Sequence, residues 1–321
     1  MALTINTNMT SLQAQHALSN STQSLNQSIK RMTTGYKINS ASDDAAGLAV
    51  ANKMKVKISA VTVAQSNVEL GNSLLSTLEG NYGVIQDHLQ RIRDLTEQSA
   101  NGTYSTDSLV AIKDEISQRL DEITRVSRTT EYNDLYLLTD GKLADGSAAA
   151  VENKFQTDGC NLQVGVTSSE NSVITLDKSL FASAVASSLT WKATGIKNTD
   201  GGAVTMPADQ EAFSKACAGL SEEADLEGTK GANQMLAVID YAISNITERT
   251  TLLGATMNRL DSASSALEVQ SDNLTSSLST VKDADIAAES SSFISAQILQ
   301  QASASLLATA NQTPQIALNL I

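Results

Sequence analysis

Proline occurs only at Pro207 and Pro314 in 321 residues, so the first 206 positions run without the strongest helix breaker. Aromatic side chains make up 3% of the chain, with Trp191 the single tryptophan. Large cores lean on aromatic rings for buried area, and this scarcity excludes a big compact α/β enzyme. Two cysteines, Cys160 and Cys217, are too few for a disulfide scaffold and lack metal-ligand spacing. No stretch of apolar residues is long enough to span a bilayer, and the mean hydropathy is −0.12. The first 30 residues lack a basic start followed by an apolar stretch, so no cleavable secretory signal is expected. A net charge of −13 repels phosphate backbones and anionic lipid, which argues against nucleic acid and membrane as partners.

Histidine is almost absent as well, with His16 and His88 the only two. There is no HExxH, no Walker loop, no glycine-rich dinucleotide fingerprint and no arguable Ser-His-Asp set. Neither a catalytic residue nor a cofactor or metal site is expected.

The most specific absence is of charge at the two ends. Residues 1–29 contain no Asp, Glu, Lys or Arg, and neither do residues 290–321. Both ends are instead Ser, Thr, Asn, Gln and Ala, punctuated by Leu and Ile. Helices that face water carry charges, so these ends are built for burial among neighbours. The doublets Ile298–Leu299 and Leu306–Leu307 direct apolar groups to two faces, which implies more than one neighbour. Burying these side chains within one chain does not offset the entropy of ordering so long a segment, so the ends are expected to order on assembly.

What is present is a periodic pattern. Leu18, Leu25, Ile29, Met32 and Tyr36 recur at steps of three, four and seven. So do Leu109, Ile112, Ile116, Leu120 and Ile123, and again Leu260, Leu267, Leu274, Leu278 and Val281. Such stripes predict helices with one apolar face, suited to coiled-coil packing or to an ordinary helical bundle. Glycine marks the exception, with nine of the 17 falling in residues 141–230. The runs Asn161–Val166, Ser172–Asp177 and Leu189–Ile196 read there as short strands, and 208–219 as a short helix. The fold expected is mainly α: long antiparallel coiled-coil arms from both chain ends, with a small α+β outer insert.

Several ungapped motifs resemble one family. MALTINTNMTSLQAQHAL opens the chain, and LNQSIKRMTTGYKINSASDDAAGLAVANKM, LQRIRDLTEQSANGTYS and DEISQRLDEITRVSRTTEYND follow. LLGATMNRLDSASSALEVQSDNLTSSLSTVKDADIAAESSSFISAQILQQAS and LLATANQTPQIALNLI close it. Together they cover about residues 1–140 and 230–321 and resemble bacterial flagellin, the protomer of the flagellar filament. The resemblance implies residues 1–42 and 285–321 as an inner helical domain lining the filament's innermost tube. It implies 43–140 and 231–284 as a helical rod outside it, and 141–230 as a variable outer domain. Inner-tube contacts would fall to Leu12, Leu18, Leu25, Ile29, Ile294, Ile298, Leu299, Leu306 and Leu307. The resemblance further implies self-assembly, type III export to the cell exterior, and an export chaperone, a filament cap and hook-junction proteins as partners.

Two segments carry more than one reading. In Asn39–Gly47 (NSASDDAAG), Ser40 or Ser42 is placed to cap a helix with Asp43 and Asp44 in its first turn. The resemblance makes the same segment the joint between the inner and outer helical parts. Leu89–Leu95 (LQRIRDL) with Glu115 resembles the flagellin surface that animal Toll-like receptor 5 reads. Gln90, Arg91, Leu95 and Glu115 match it, with Ile112 and Arg119 as neighbours, although Asp94 stands where many members carry Glu. That face could equally pack against adjacent protomers. The rival readings are a hook–filament junction protein and a secreted adhesin acting through its insert. Cys160 and Cys217 are compatible with a disulfide in the insert or with two free thiols.

Overall fold

The computed structural model describes residues 8–139, 159–166, 172–186 and 228–319, together with Phe155 and Leu189. Trp191, Pro207, Cys217, the helix expected over 208–219 and the strand expected from Leu189 onward lie outside the described residues, Leu189 itself excepted. Five long α-helices are described, α1 (Met9–Thr34), α2 (Ala45–Ser99), α3 (Thr106–Thr129), α4 (Gly228–Lys282) and α5 (Ile286–Asn319), with a short 3-10 helix at Lys178–Phe181. Four short strands lie between α3 and α4: β1 (Glu131–Tyr132), β2 (Leu135–Tyr136), β3 (Cys160–Gln163) and β4 (Val173–Leu176). The chain divides into two compact units. One comprises residues 1–61 and 269–321, the other 62–268.

In the first unit α1 and α5 pair antiparallel. Asn8 donates from Nδ2 to the Ala310 carbonyl at 2.8 Å, and Ser11 Oγ donates to Asn311 Oδ1 at 2.7 Å. Further along, Gln300 Nε2 donates to Thr22 Oγ1 at 3.2 Å, and Arg31 pairs with Glu289 at 3.7 Å. Among the residues of these two helices whose burial is described, the fully buried ones are small: Ser28, Ala296 and Ser303. The stripe of Leu18, Leu25, Ile29, Met32 and Tyr36 therefore needs a correction. Leu18, Leu25 and Met32 are half-buried, but Ile29 and Tyr36 are exposed, and Ser28 takes the buried place beside Ile29.

Both arms break at one level. Gly35 ends α1 at φ 73°, a left-handed cap that only glycine adopts without strain, and its N–H returns to the Arg31 carbonyl. The next residue forms a single antiparallel bridge, Tyr36 against Asp283. Lys37 N–H donates to the Lys282 carbonyl at 2.8 Å and Ala284 N–H to the Gly35 carbonyl at 2.9 Å. Lys282 Nζ sits 4.0 Å from the centre of the Tyr36 ring. Helix α2 then starts from Asp44, whose carboxylate accepts from Gly47 N–H at 2.9 Å. Ser40 and Ser42 are not the cap. Asp43 closes the preceding turn instead, accepting from Ser40 N–H, Asn39 N–H and Ser40 Oγ at 2.9, 3.1 and 3.0 Å. Those main-chain donors hold its carboxyl below the ordinary value. Asp285 repeats the device at α5, accepting from Ala287 and Ala288 N–H.

The second unit owns the core. Leu75, Leu78, Tyr82, Ile85, Leu89, Ile92 and Leu95 of α2 are buried, as are Ile112, Ile116, Ile123 and Val126 of α3. From α4 come Met235, Val238, Ile239, Ala242, Ile246, Leu253, Leu260 and Leu267. Polar contacts fix the register. Arg93 Nε donates to Asp240 at 2.8 Å and Asn72 Nδ2 to Asp261 at 3.1 Å, so α2 and α4 run antiparallel. β1 and β2 form a hairpin about Asn133 and Asp134, at φ 51° and 62°, the positive-φ pair that a type I′ turn needs. β3 and β4 pair antiparallel from Cys160↔Leu176 to Gln163↔Val173, as the runs Asn161–Val166 and Ser172–Asp177 predict. Cys160 is half-buried, and burial pushes its thiol up.

Side chains donating to main-chain carbonyls fasten the loop segments to the helices. Tyr82 donates from its hydroxyl to the Leu180 carbonyl at 2.6 Å, and Ser127 Oγ to the Leu138 carbonyl at 2.6 Å, both buried. Arg249 Nη1 reaches the carbonyls of Ala182 and Ser183 at 2.8 and 3.3 Å. Burial raises the Tyr82 phenol above its ordinary 10.0, against a smaller opposing effect of Arg249. The folded state thus favours the protonated phenol. Its contribution is complete below the unfolded value near 10 and is lost as pH rises through the higher folded value. Tyr82→Phe leaves the Leu180 carbonyl without its donor and is expected to cost about 1–3 kcal/mol in urea denaturation. The variant should also lose part of the alkaline destabilisation; equal stability and an unchanged pH profile would contradict this role for the hydroxyl.

Candidate functional site

Two surfaces carry the residues that the sequence singles out. The first lies on α1 and α5. The fully buried positions between these helices are small, Leu18, Leu25 and Leu307 sit half-buried beside them, and several long apolar side chains stay in the open. Leu12 is 47% exposed, Ile298 60%, Leu299 57% and Leu306 63%; Ile29 and Ile294 are exposed too. Leu18, Leu25 and Leu307 are half-buried. The surrounding surface has no charge to solvate it, since neither 1–29 nor 290–321 contains a charged side chain. The same unit exposes Met9, Val50, Val56 and Ile286, which the sequence reading did not assign. The seven-residue spacing of Ala296 and Ser303 was the available signal for the buried side, and hence for which residues face out.

The second surface lies on α2 and α3 in the larger unit. Gln90 and Arg91 are exposed on α2. Glu115 of α3 accepts from Arg91 Nε at 3.2 Å and from Arg119 Nε at 3.1 Å, so one carboxylate clamps two guanidinium groups. Arg119 Nη1 lies 3.4 Å from Nδ1 of His88. The sequence reading missed His88, although it stands one turn before Arg91. Leu95 and Ile112 correct the expectation for this surface: at 2% and 9% exposure both are core residues and cannot be presented to a partner. They stand beneath the ion cluster, and Gln90, Arg91, Glu115 and Arg119 form its accessible part.

Partial burial pushes the Glu115 carboxyl up, but hydrogen bonds from Arg119 and Arg91, reinforced by their charges, outweigh it and hold the group below its ordinary 4.5. Its contribution is therefore present above 4.5 and fades as pH falls through the lower folded value. The pairs are largely exposed, so the effect on stability is small. The position of the titration is the sharper readout. Carbon-detected NMR titration of Glu115 should move toward 4.5 in Arg119→Ala and further in the double variant with Arg91→Ala. An unshifted curve in the double variant would refute the clamp.

Among the described residues no group of three or more His, Cys, Asp or Glu is arranged to hold a metal ion, and no helix is long and apolar enough to cross a membrane.

Residues 5–142 match the family profile described as the bacterial flagellin N-terminal helical region, and residues 236–321 match the C-terminal helical region. The chain is 33% identical to the flagellin of Bacillus subtilis, with 99% of each chain covered. It is 30% identical to the flagellar filament 30.7 kDa core protein of Treponema maltophilum, again over 99% of each. Polar flagellin F of Vibrio parahaemolyticus is 31% identical over the whole of both chains. A solved structure described as a flagellar hook-associated protein of Vibrio parahaemolyticus shares the fold, with a TM-score of 0.57 at 16% identity, covering 75% of this chain and all of that one.

Proposed function

This chain belongs to the bacterial flagellin family and is a structural subunit of the flagellar filament, and from that premise we propose how its two surfaces are used. Copies of the chain join through the outward faces of α1 and α5 and line the innermost tube of the filament. Leu12, Ile29, Ile294, Ile298, Leu299 and Leu306 make the contacts between copies, while Leu18, Leu25 and Leu307 join α1 to α5 and complete the tube wall. The carrying observation is that these long apolar side chains stay exposed in a single copy, on chain ends whose residues 1–29 and 290–321 contain no Asp, Glu, Lys or Arg. Each fully buried Leu or Ile contributes roughly 1.5–3 kcal/mol, so a handful per subunit suffices to drive addition at the filament end.

The division of the chain follows the same reading. Residues 1–42 and 285–321 form the inner part, 43–140 and 231–284 the rod, and 141–230 the outer domain. In support, the 42/43 boundary falls in the turn between α1 and α2, and 284/285 in the break between α4 and α5. The subunit leaves the cell by type III export with a chaperone, adds beneath a cap and meets hook-junction proteins at the filament base. The assembled extracellular filament serves motility.

In animal hosts the α2–α3 surface is read by Toll-like receptor 5 through Gln90, Arg91, Glu115 and Arg119. A planar guanidinium held in place by a carboxylate is a pre-organised donor for a partner's acceptors. Leu95 and Ile112 act only by keeping α2 and α3 in register.

Introducing charge into the outward face tests the assembly reading. The Ile298→Glu, Leu306→Glu double variant should fail to elongate from filament fragments in negative-stain microscopy while the monomer keeps its helical circular dichroism. Filaments of ordinary length would overturn the proposal. For the receptor, Arg91→Ala should weaken signalling in reporter cells by about tenfold, the equivalent of ~1.4 kcal/mol; an unchanged dose–response curve would remove Arg91 from that surface.

A further inference from the structure

The turn between α2 and α3 carries the one Asn–Gly pair in the chain, Asn101–Gly102. We propose that Asn101 is a site of spontaneous modification, at which the side-chain amide is lost and the main chain becomes a mixture of aspartate and isoaspartate. The reaction requires the main-chain nitrogen of the following residue to reach Asn Cγ. Four features of this turn permit it. Asn101 and Gly102 are both exposed and lie outside any helix. The Asn101 side chain makes no hydrogen bond among the described residues, and Gly102 N–H has no partner among them either. Chain neighbours apart, no atom of another residue comes within 4 Å of where a Gly102 side chain would be, so the turn is open on that side. The closing contact of the turn is long, Tyr104 N–H to the Asn101 carbonyl at 3.5 Å.

The chemistry balances with water alone. Gly102 nitrogen gives up its proton and forms a bond to Asn101 Cγ, the Cγ–N bond of the amide breaks, and ammonia departs with that proton. The five-membered imide then takes up water at one of its two carbonyls. Opening at one returns an ordinary aspartate; opening at the other routes the main chain through the side-chain carbon. Either product adds a negative charge to a chain already at −13. By contrast, Asn72 and Asn81 lie within α2, where the helix holds the next main-chain nitrogen away from the side chain and their own amides are hydrogen-bonded. A protein with a long service life outside the cell would therefore record its age at this turn. The isoaspartate form is a substrate for the class of methyltransferase that esterifies that residue.

The test follows full-length monomer held in mildly alkaline buffer, with tryptic peptides examined by mass spectrometry over weeks. The peptide containing Asn101 should gain about one dalton, amide to carboxyl, well before the single peptide that carries both Asn72 and Asn81, and faster as pH is raised. Part of that product should accept a methyl group from isoaspartyl methyltransferase. Gly102→Ala should slow the change on the order of tenfold by crowding the attacking nitrogen. Because Ala fits at this open position, the variant's circular dichroism should match that of the parent. Asn101 converting no faster than the helical asparagines, or at an unchanged rate in Gly102→Ala, would overturn the proposal.

Discussion

The contact between α1 and α5 is made by small side chains, and the rest of the terminal unit follows from that constraint. Ser28, Ala296 and Ser303 take the fully buried places, and Leu18, Leu25, Met32 and Leu307 are only half-buried. Leu12, Ile29, Ile294, Ile298, Leu299 and Leu306 are left exposed. An ordinary amphipathic helix hides such residues and shows charge to water. These helices do the reverse on both counts, since 1–29 and 290–321 carry no charged side chain at all. Under the assembly proposed above, other copies of the chain cover this surface.

The larger unit is stabilised in the opposite way. Its three helices bury a continuous set of Leu, Ile and Val, and its ion pairs lie on the outside, where screening makes them weak contributors to stability. Their value is positional. Glu115 fixes Arg91 and Arg119 from one carboxylate, and Asp240 fixes Arg93, so side chains that would otherwise wave in solvent present a defined pattern. Hydrogen bonds from Tyr82, Ser127 and Arg249 to main-chain carbonyls do the same for the loop segments, where short strands alone supply little order.

Between α1 and α2, and again between α4 and α5, the chain uses one solution twice. A break is followed by an aspartate that caps the next helix, Asp44 in one case and Asp285 in the other, and the two breaks are tied by the Tyr36–Asp283 bridge. The motif NSASDDAAG announced a helix start. It pointed to Ser40 or Ser42 as the cap rather than Asp44, because serine and aspartate satisfy the same local preference.

Read alone, the sequence determined the helical arms, their antiparallel return, the place of the insert and the anomaly of the uncharged ends. These are properties of period and composition, and they survive any reasonable packing. The tertiary structure decided which face of each helix is turned inward. Leu95 and Ile112 looked as available to a partner as Arg91, and Ile29 looked as buried as Leu25. Rotation about a helix axis by a fraction of a turn exchanges such neighbours, and that rotation is set by which opposing side chains fit, not by the spacing of apolar residues within one strand of sequence. The accessible receptor-like cluster and the outward apolar face therefore became visible only once both helices of each pair were in place.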